Sequence, residues 1–564
     1  MKKYIKYILI FIFFVIVCSF ENPVPGNLNP PFTIQQVAFD GNNINTWIYN
    51  TGIFNQDLRV MNTPGFEWPK GSGSRAVYTT GLCIAGYYNG ELREAMASYK
   101  GEYAPGYIVD SAGLPVARTD TTFKIYKVNH NDNMYSNPDW LNWGLMVPYG
   151  APFTDVNHNG VYDPSIDTPG VHGATQTLFV CLTDGFPDRH SLGEGFGGGT
   201  LPLYAEVHMT AWCYDNPVIQ DVQFLKWVII NKSHTSWNRT YISIMCDPDL
   251  GCGNDDYNGC DTVRGLGYCY NGEAIDCQGQ YRYPDVPPAV GFQWLNCSGV
   301  NNSGIKSFIT FYGNSSASAD CEHDANGEPF GAYNYMKGIK KDTTPYVIPP
   351  GGSSFYVTKF VHSGDPETGH GWTEGIPGNP SGVIWNCGGP GHYSGDLHSP
   401  SPFGDRRFVV STGGDNFIVH PGDTQKVMIA QLIAQGTSNL NSVTKLKILA
   451  DTVKAFCSRG FVIGMQPINS TVPQRFELYQ NYPNPFNPVT KIKFSIPEVR
   501  GQMTEVRLVI YDVLGKEVAT LVNEKLSSGT YEVEFDGTNY PSGVYFYKIV
   551  AGDFNITKKM VLLK

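Results

Sequence analysis

The C-terminal segment, residues 476–564, carries the pattern that most restricts the fold. Apolar side chains recur there at every second position, as in Val506, Leu508 and Ile510, and again over Tyr531–Phe535. A period of two indicates half-buried β-strands. Turn residues such as those of Asp512–Gly515 separate the runs. About six or seven short strands in a segment of this length predict a small antiparallel sandwich.

Four motifs of this segment stand in order and run to its last residue. They are Tyr482-Pro-Asn-Pro-Phe-Asn-Pro488, Ile510-Tyr-Asp-Val-Leu-Gly515, Ser542-Gly-Val-Tyr-Phe-Tyr547 and Lys558-Lys-Met-Val-Leu-Leu-Lys564. Together they resemble the type A C-terminal sorting domain of type IX secretion, the export route of Bacteroidetes-like bacteria. The resemblance implies an immunoglobulin-like tag that an outer-membrane translocon reads. It also implies a passenger that is released or attached to surface lipopolysaccharide.

The alternative to a sorting tag is an ordinary accessory sandwich on a secreted hydrolase. A basic, apolar tail such as Lys558–Lys564 is not needed by an accessory domain, so the tail favours the tag. The rest of the chain resembles long uncharacterised secreted proteins of the same bacterial group.

The N-terminus has the pattern of a secretory signal peptide, residues 1–19. Three lysines precede the apolar run Ile8–Cys18, which is too short for a membrane span. We expect cleavage after Ser19. Val17 stands where a lipoprotein signal needs a small residue, so no lipid anchor is predicted, and no later run has membrane length.

The net charge restricts the partners. The formal charge is −11, and removal of the lysine-bearing signal makes the mature chain more acidic. This balance argues against nucleic acid as a partner and suits a surface-exposed or calcium-binding protein.

The cysteines predict an oxidised protein. Cys18 falls in the signal, and none of the others forms a Cys-x-x-Cys pair, so a zinc ribbon is not expected. Disulfides that staple a loop-rich segment are favoured over free thiols in an exported chain, with the pairing left open. The cysteines crowded into that segment are Cys246, Cys252, Cys260, Cys269, Cys277 and Cys297.

Composition and patterning predict a mainly all-β passenger, residues 20–463, built as one sandwich or two packed ones with long loops. The chain has 62 Gly, 38 Pro and 13% aromatics. Strands are predicted at Ala205–Cys213, Val222–Asn231 and Tyr241–Met245, with Glu206 and His208 on a solvated face. One helix is predicted at 441–457, capped by Asn441 and Ser442. Residues 464–475 read as a linker to the domain 476–564.

A loop in the passenger has the alternation of a calcium site. Oxygen-bearing side chains recur at every second position, and Gly160 stands at the sixth. The twelfth residue is Ile166 rather than Glu, so this is not an EF-hand; Asp167 supplies the missing carboxylate. The loop resembles single calcium repeats of dockerins and thrombospondin type 3 segments, and the alternative is an Asn/Gly turn without metal. The predicted ligands are Asp155, Asn157, Asn159, Val161 (carbonyl), Asp163 and Asp167.

A second acidic stretch follows the third predicted strand. Its aspartates could hold another cation or contact a ligand, although Asp, Asn and Gly are also ordinary loop residues. The candidates are Asp247, Asp249, Asp255, Asp256 and Asp261. His362, His370, His392 and His398 lie in or near a long loop, but no pair has zincin spacing.

No catalytic motif stands out in the sequence. Gly-x-Ser-x-Gly, His-Glu-x-x-His, phosphate-loop and Rossmann patterns are absent. The sequence therefore favours a non-catalytic, exported surface protein with calcium-stabilised loops and a structural, adhesion or glycan-binding role. The alternative is a secreted hydrolase acting on polysaccharide, because two carboxylates need no sequence signature.

Overall fold

The computed structural model is built almost entirely of antiparallel strands, which confirms the all-β prediction. The predicted signal peptide and most of the predicted linker lie outside the residues that the structure describes. Those residues are 32–59, 63–191, 193–297, 304–313, 320–348, 356–374, 383–385, 393–397, 404–458, 460–461, 473–498, 504–526, 528–538 and 540–564.

The first of two large sheets has eight strands, and we call it the eight-stranded sheet. Its strands follow one another antiparallel. In spatial order they are Gln36–Phe39, Thr46–Tyr49, Ile53–Phe54, Thr79–Tyr88, Trp237–Asp247, Arg406–Gly413 and Ser307–Tyr312, with Glu91–Ala95 paired to Thr79–Tyr88.

The second large sheet, the nine-stranded sheet, contains two of the three strands predicted at 205–245. Ala205–Cys213 and Val222–Asn231 have the predicted bounds, whereas the third belongs to the eight-stranded sheet and is longer, Trp237–Asp247. The other strands of the nine-stranded sheet are Tyr126–Asn129, Gln176–Thr183, Thr424–Ala434, Ala289–Trp294, Leu266–Asn271, Asp256–Asp261 and Ala104–Pro105.

The two large sheets pack face to face around one core. Leu82 and Ile244 of the eight-stranded sheet share a buried cluster with Val207, Trp227 and Ile429 of the nine-stranded sheet. Alternation along each strand sends every second side chain into this layer.

Each outer face is covered by a helix, so the central strands are buried on both sides. Helix Asn439–Ser458 buries Val443 and Leu446 on the nine-stranded sheet, and helix Pro329–Lys337 buries Ala332 on the eight-stranded sheet. Helix Asn439–Ser458 is the helix that was predicted at 441–457. Its cap is Ser438, whose Oγ accepts from the Asn441 N–H at 3.1 Å, rather than Asn441 or Ser442.

Two-sided burial overturns the solvated face that was predicted for Glu206 and His208. Both side chains are buried, and His208 Nε2 lies 3.0 Å from Glu206 Oε1. The Tyr149 ring packs against His208, with 6.0 Å between ring centroids, because the segment around it covers this part of the sheet.

Short elements fill the loops between the large strands. Among the described helices, none combines the length and apolar character that a bilayer crossing needs. The short helices are Pro138–Asn142, Trp143–Leu145, Val147–Tyr149, Arg189–Ser191 and Asp320–Glu322, and the paired short strands are Phe66–Glu67 with Arg75–Val77, Tyr107–Ser111 with Leu114–Arg118, Phe153–Thr154 with Thr168–Pro169, Tyr346–Ile348 with Tyr356–Thr358, and Val383–Trp385 with Tyr393–Leu397.

The C-terminal strands form the predicted immunoglobulin-like sandwich with a core of its own. Phe494 and Tyr531 from one sheet and Leu508, Tyr547 and Met560 from the other fill that core. The three-stranded sheet is Glu477–Leu478, Val489–Ile496 and Gly529–Asp536, and the four-stranded sheet is Glu517–Leu526, Thr504–Tyr511, Gly543–Ala551 and Phe554–Leu562.

Disulfides staple the loop-rich segment in part. Cys252 is bonded to Cys277, and Cys297 to Cys457 on the long helix. The prediction is wrong for the remaining three cysteines of the segment, which are free and buried between the large sheets, where a thiol packs as a small apolar group. These are Cys246, Cys260 and Cys269.

We predict that the long helix contributes strongly to stability through its sheet-facing side. Leu446→Ala should lower the free energy of unfolding by about 2–5 kcal/mol, because it leaves a cavity beneath a fully buried side chain. Urea denaturation measures this. Ile448→Ala, at a residue 54% exposed on the same helix, is the control and should change it by less than about 0.5 kcal/mol. Equal losses in the two variants would contradict the packing described here.

Candidate binding cleft and cation loops

One end of the eight-stranded sheet gathers polar residues from several separate segments. Asp247 ends its strand opposite Thr79, so Tyr78 lies next to it in space. On the other side Cys246 pairs with Phe408, which sets Arg407 beside Asp247. Loops at the ends of rigid strands are common places for binding residues.

The gathered residues line an open cavity of about 490 Å³, which we call the acidic cleft. Carboxylate oxygens of Asp247, Asp249 and Asp405 lie within 4.8 Å of one another. The complete lining is Tyr78, Tyr99, Asp247, Asp249, Gly313, Asp324, Asn326, Asp405 and Arg407.

Arg407 is the cation that holds the cleft together. Its Nη1 donates to both oxygens of Asp405 at 3.0 Å, and its Nε lies 3.4 Å from Asp247 Oδ2 and 3.6 Å from Asp324 Oδ2. Nε also donates to the Tyr99 hydroxyl at 2.8 Å, and that hydroxyl donates to Asp247 Oδ2 at 2.9 Å. A single guanidinium therefore orients three carboxylates and one phenol.

Tyr99 is positioned by a buried glutamate outside the cleft. Glu194 accepts from the backbone N–H groups of Tyr99 at 2.7 Å, Lys100 at 2.9 Å and Gly101 at 2.6 Å, and also from that of Ser98. Burial raises the pKa of Glu194 to about 7. The turn that carries Tyr99 is thus tied to one carboxyl group.

Burial changes the acidity of the cleft carboxyls. Burial raises the pKa of Asp247 to about 7, against the opposing effect of the Arg407 charge. Burial, followed by the charges of Asp247 and Asp405, raises the pKa of the half-buried Asp249 well above its usual range. Asp247 Oδ1 is buried without a hydrogen-bond partner. The cleft can therefore hold a proton near neutral pH, and one of its carboxylate oxygens lacks a hydrogen-bond partner.

The second predicted acidic group divides into three places. Asp247 and Asp249 line the cleft, whereas Asp255 and Asp256 are buried at the far end of the same loop. Asp261 pairs with Arg264 at 2.7 Å, and this arginine also contacts Asp451 at 2.8 Å on the long helix. The five aspartates do not form one site.

The predicted calcium loop closes on itself between two short strands. Asp155 accepts from the N–H groups of Asn159 at 3.2 Å and Gly160 at 2.7 Å, and Gly160 has a left-handed φ of 75°. The buried Asp167 accepts from the N–H groups of Val156 at 2.9 Å and Asp163 at 2.7 Å.

The remaining predicted ligands of this loop lie in turns. The Asn157 side chain accepts from the Asn159 N–H at 3.1 Å, and the Asn159 side chain accepts from the Val161 N–H at 2.7 Å. Asp155, Asp163 and Asp167 do not bring one carboxylate oxygen each to within 4.8 Å of one another. The side-chain oxygens of the predicted ligands therefore accept hydrogen bonds from backbone N–H groups of the same loop.

The histidines do not assemble into a site within the described residues. His362 is buried, with Nδ1 3.5 Å from Glu374, and burial lowers its pKa. The His370 backbone pairs with Asp365. His392 and His398 lie outside the described residues.

Sequence reasoning missed most of the cleft. Arg407 lies in the strand Arg406–Gly413, Asp405 directly precedes that strand, and Tyr78 directly precedes the strand Thr79–Tyr88. The only available signal was polar residues at the ends of strands, which becomes informative once the order of the strands in the sheet is known.

Comparison with known proteins identifies the C-terminal segment. Residues 480–563 match the family described as secretion system C-terminal sorting domain. This confirms the type IX sorting domain, so the chain is exported to the cell surface or beyond and interacts with the type IX secretion machinery through this domain.

No curated protein matches the chain. A solved polysaccharide lyase aligns over 82% of this chain and 46% of its own length, with 7% identity and a TM-score of 0.15. The chain therefore spans less than half of that protein, and the similarity is too low to indicate a shared fold.

We predict that stability decreases as pH rises from about 4 to about 7. The pKa of Asp247 is raised from 3.8 to about 7. The folded chain therefore keeps a proton that the unfolded chain releases, at a cost of up to about 1.4 kcal/mol per pH unit. Asp247→Asn should flatten this dependence in urea denaturation between pH 4.5 and 7.5. Asp215→Asn, at an exposed residue, should keep it; an unchanged slope in Asp247→Asn would count against the raised pKa.

Proposed function

We propose that this exported chain binds glycans outside the cell, with a body of residues 20–463 joined by a linker, residues 464–475, to the sorting domain. The observation that carries the proposal is the acidic cleft. Its volume of about 490 Å³ lies in the range of sites for small ligands.

The side chains of the cleft suit a polyhydroxylated ligand. Carboxylates such as Asp249 and Asp405 accept hydrogen bonds from hydroxyl groups, and Asn326 can both donate and accept. The rings of Tyr78 and Tyr99, half-buried with centroids 6.3 Å apart, offer flat apolar surface to a sugar ring.

The charge of the cleft restricts the class of glycan. Asp247, Asp249, Asp324 and Asp405 outnumber the single cation Arg407. A neutral or amino-bearing glycan therefore fits this cleft better than a polyanionic one.

A second candidate function, hydrolysis of a polysaccharide, is favoured by the raised pKa of Asp247. A carboxyl group with a pKa of about 7 retains a proton for a leaving group, and Asp249 and Asp405 lie within 4.8 Å of it. Retaining glycosidases place their two carboxyl groups about 5–5.5 Å apart. Asp247 would be the acid and one of the other two the nucleophile.

A calcium ion in the loop 155–167 is part of the proposal, as a structural ion. The support is the alternation of oxygen side chains and the closure of the loop around Asp155 and Asp167. In this role the ion rigidifies the loop and takes no part in ligand binding.

The lining of the cleft predicts a substitution that weakens glycan binding. Asp405→Asn should weaken binding to glycans selected on an array by about 10–100-fold, because hydrogen bonds to charged groups contribute about 1.5–3 kcal/mol. Binding is measured by titration of the full mature chain, with Asp215→Asn as the control within about twofold.

The same preparation separates the two candidate functions. Release of reducing ends from a bound polysaccharide, lost in Asp247→Asn, would make the protein a hydrolase. Binding without release would make it a binding module. An array and a degradation screen that are both blank would overturn the proposed function.

Calcium removal should lower the melting temperature of the full chain. We expect EGTA to lower it by roughly 2 °C or more, since loss of a bound ion removes its linkage free energy. Asp155→Ala should lower it in calcium and reduce the further effect of EGTA, whereas Asp215→Asn should behave as the parent chain. A melting temperature that ignores both EGTA and Asp155→Ala would refute calcium in this loop.

A further inference from the structure

A second acidic cluster lies buried at the end of a hairpin in the nine-stranded sheet. Strands Asp256–Asp261 and Leu266–Asn271 pair so that Asp256 faces Asn271, which puts Asp255 beside that end. The Gly272 N–H donates to the Asp255 carbonyl at 2.6 Å, and the chain then returns with Asp276. Oxygens of Asp255 and Asp276 lie within 4.8 Å of each other.

The donors at this end of the hairpin do not satisfy its acceptors. Asp255 Oδ2 accepts from the Cys277 N–H at 2.9 Å, and Asp276 accepts from the N–H groups of Cys252 at 3.2 Å and Tyr283 at 2.6 Å. Asp255 Oδ1 and Asn271 Oδ1 are buried without any partner. Asp255 and Asp276 are each 1% exposed and Asn271 is fully buried. Buried oxygens of this kind require water or an ion.

The charge of the cluster also lacks a counterpart. Across the part of the chain that the structure describes, neither Asp255 nor Asp276 forms an ion pair with a lysine or arginine. Two buried carboxylates without a cation are costly.

The amide of Asn271 completes a set of oxygen ligands. Its Nδ2 donates a hydrogen bond of 3.5 Å to Asp276 Oδ1, and a half-turn of the amide would place Oδ1 at the same position when a cation is bound. The sulfurs of Cys252 and Cys277 are close to the carboxylates but are bonded to each other. They cannot act as thiolate ligands, which disfavours zinc and favours a hard cation.

We propose that Asp255, Asn271 and Asp276 bind a buried calcium ion beside the Cys252–Cys277 disulfide. Calcium fits better than magnesium, because calcium accepts irregular sets of carboxylate and amide oxygens, whereas magnesium demands near-ideal octahedral geometry. The ion neutralises the two carboxylates and holds the end of the loop 248–255, whose beginning carries Asp249 of the acidic cleft.

Calcium content of the full mature chain tests the site directly. After removal of free calcium, Asp276→Asn should retain one equivalent fewer than the parent chain by elemental analysis. Asp285→Asn, at an exposed residue nearby, should retain the parent content. Asp155→Ala reports on the other loop, so the double variant Asp155→Ala/Asp276→Asn separates the two ions. An Asp276→Asn chain with the parent calcium content would overturn the proposal.

A second measurement covers the case in which Asp276→Asn does not fold. Crystals of the parent chain grown in millimolar calcium should show an anomalous peak between Asp255 and Asp276. The absence of a peak there would overturn the proposal. Glycan binding is scored separately, so failure of the cleft proposal and failure of this one are distinguishable.

Discussion

Burial of both faces of the central strands is the constraint on which the rest of this structure depends. Leu225 and Trp227 pack between the two large sheets, while Phe224 on the opposite face of the same strand packs under the long helix. With both sides covered, the buried polar side chains along these strands are mostly uncharged, such as Gln223 and Gln431. A polar pair that does lie there, Glu206 with His208, is covered and hydrogen-bonded.

Polar chemistry is therefore concentrated where the strands end. Asp247 is the last residue of a strand with two buried faces, and Arg407 is close to the first residue of the next. The core that excludes water from their strands also desolvates these ends, which raises the pKa of Asp247. The same desolvation acts on Asp276 at the end of the hairpin in the other sheet. Burial at the end of a central strand thus accounts for the raised pKa of Asp247.

How well each part of the structure could be predicted depended on how close together in the sequence its determining residues lie. The sorting domain was recognised because its motifs are local and its strands alternate strictly. The helix 439–458 was recognised from its apolar stripe, although its cap was placed three to four residues late because Asn441 and Ser442 resemble cap residues as much as Ser438 does.

The cleft was not predictable, because its carboxylates and Arg407 come from segments far apart in sequence. Asp261 was grouped with the wrong partners for a related reason: its true partner Arg264 is local, but Asp451, which shares that arginine, lies on the helix. The free thiols of Cys246, Cys260 and Cys269 were misjudged because an even number of cysteines in an exported chain suggests pairing, whereas strand register decides which way each thiol points.

Export and stability are connected in this chain through one loop. Residues 248–255 run from the acidic cleft to the edge of the nine-stranded sheet, and the Cys252–Cys277 disulfide anchors them. That bond forms in an oxidising compartment and not in the cytosol. If the proposed calcium ion sits beside it, two constraints that the exterior supplies act on the same few residues. The loop would then reach its final order only after export, and the cleft that begins with Asp247 and Asp249 would be completed where the sorting domain delivers the protein.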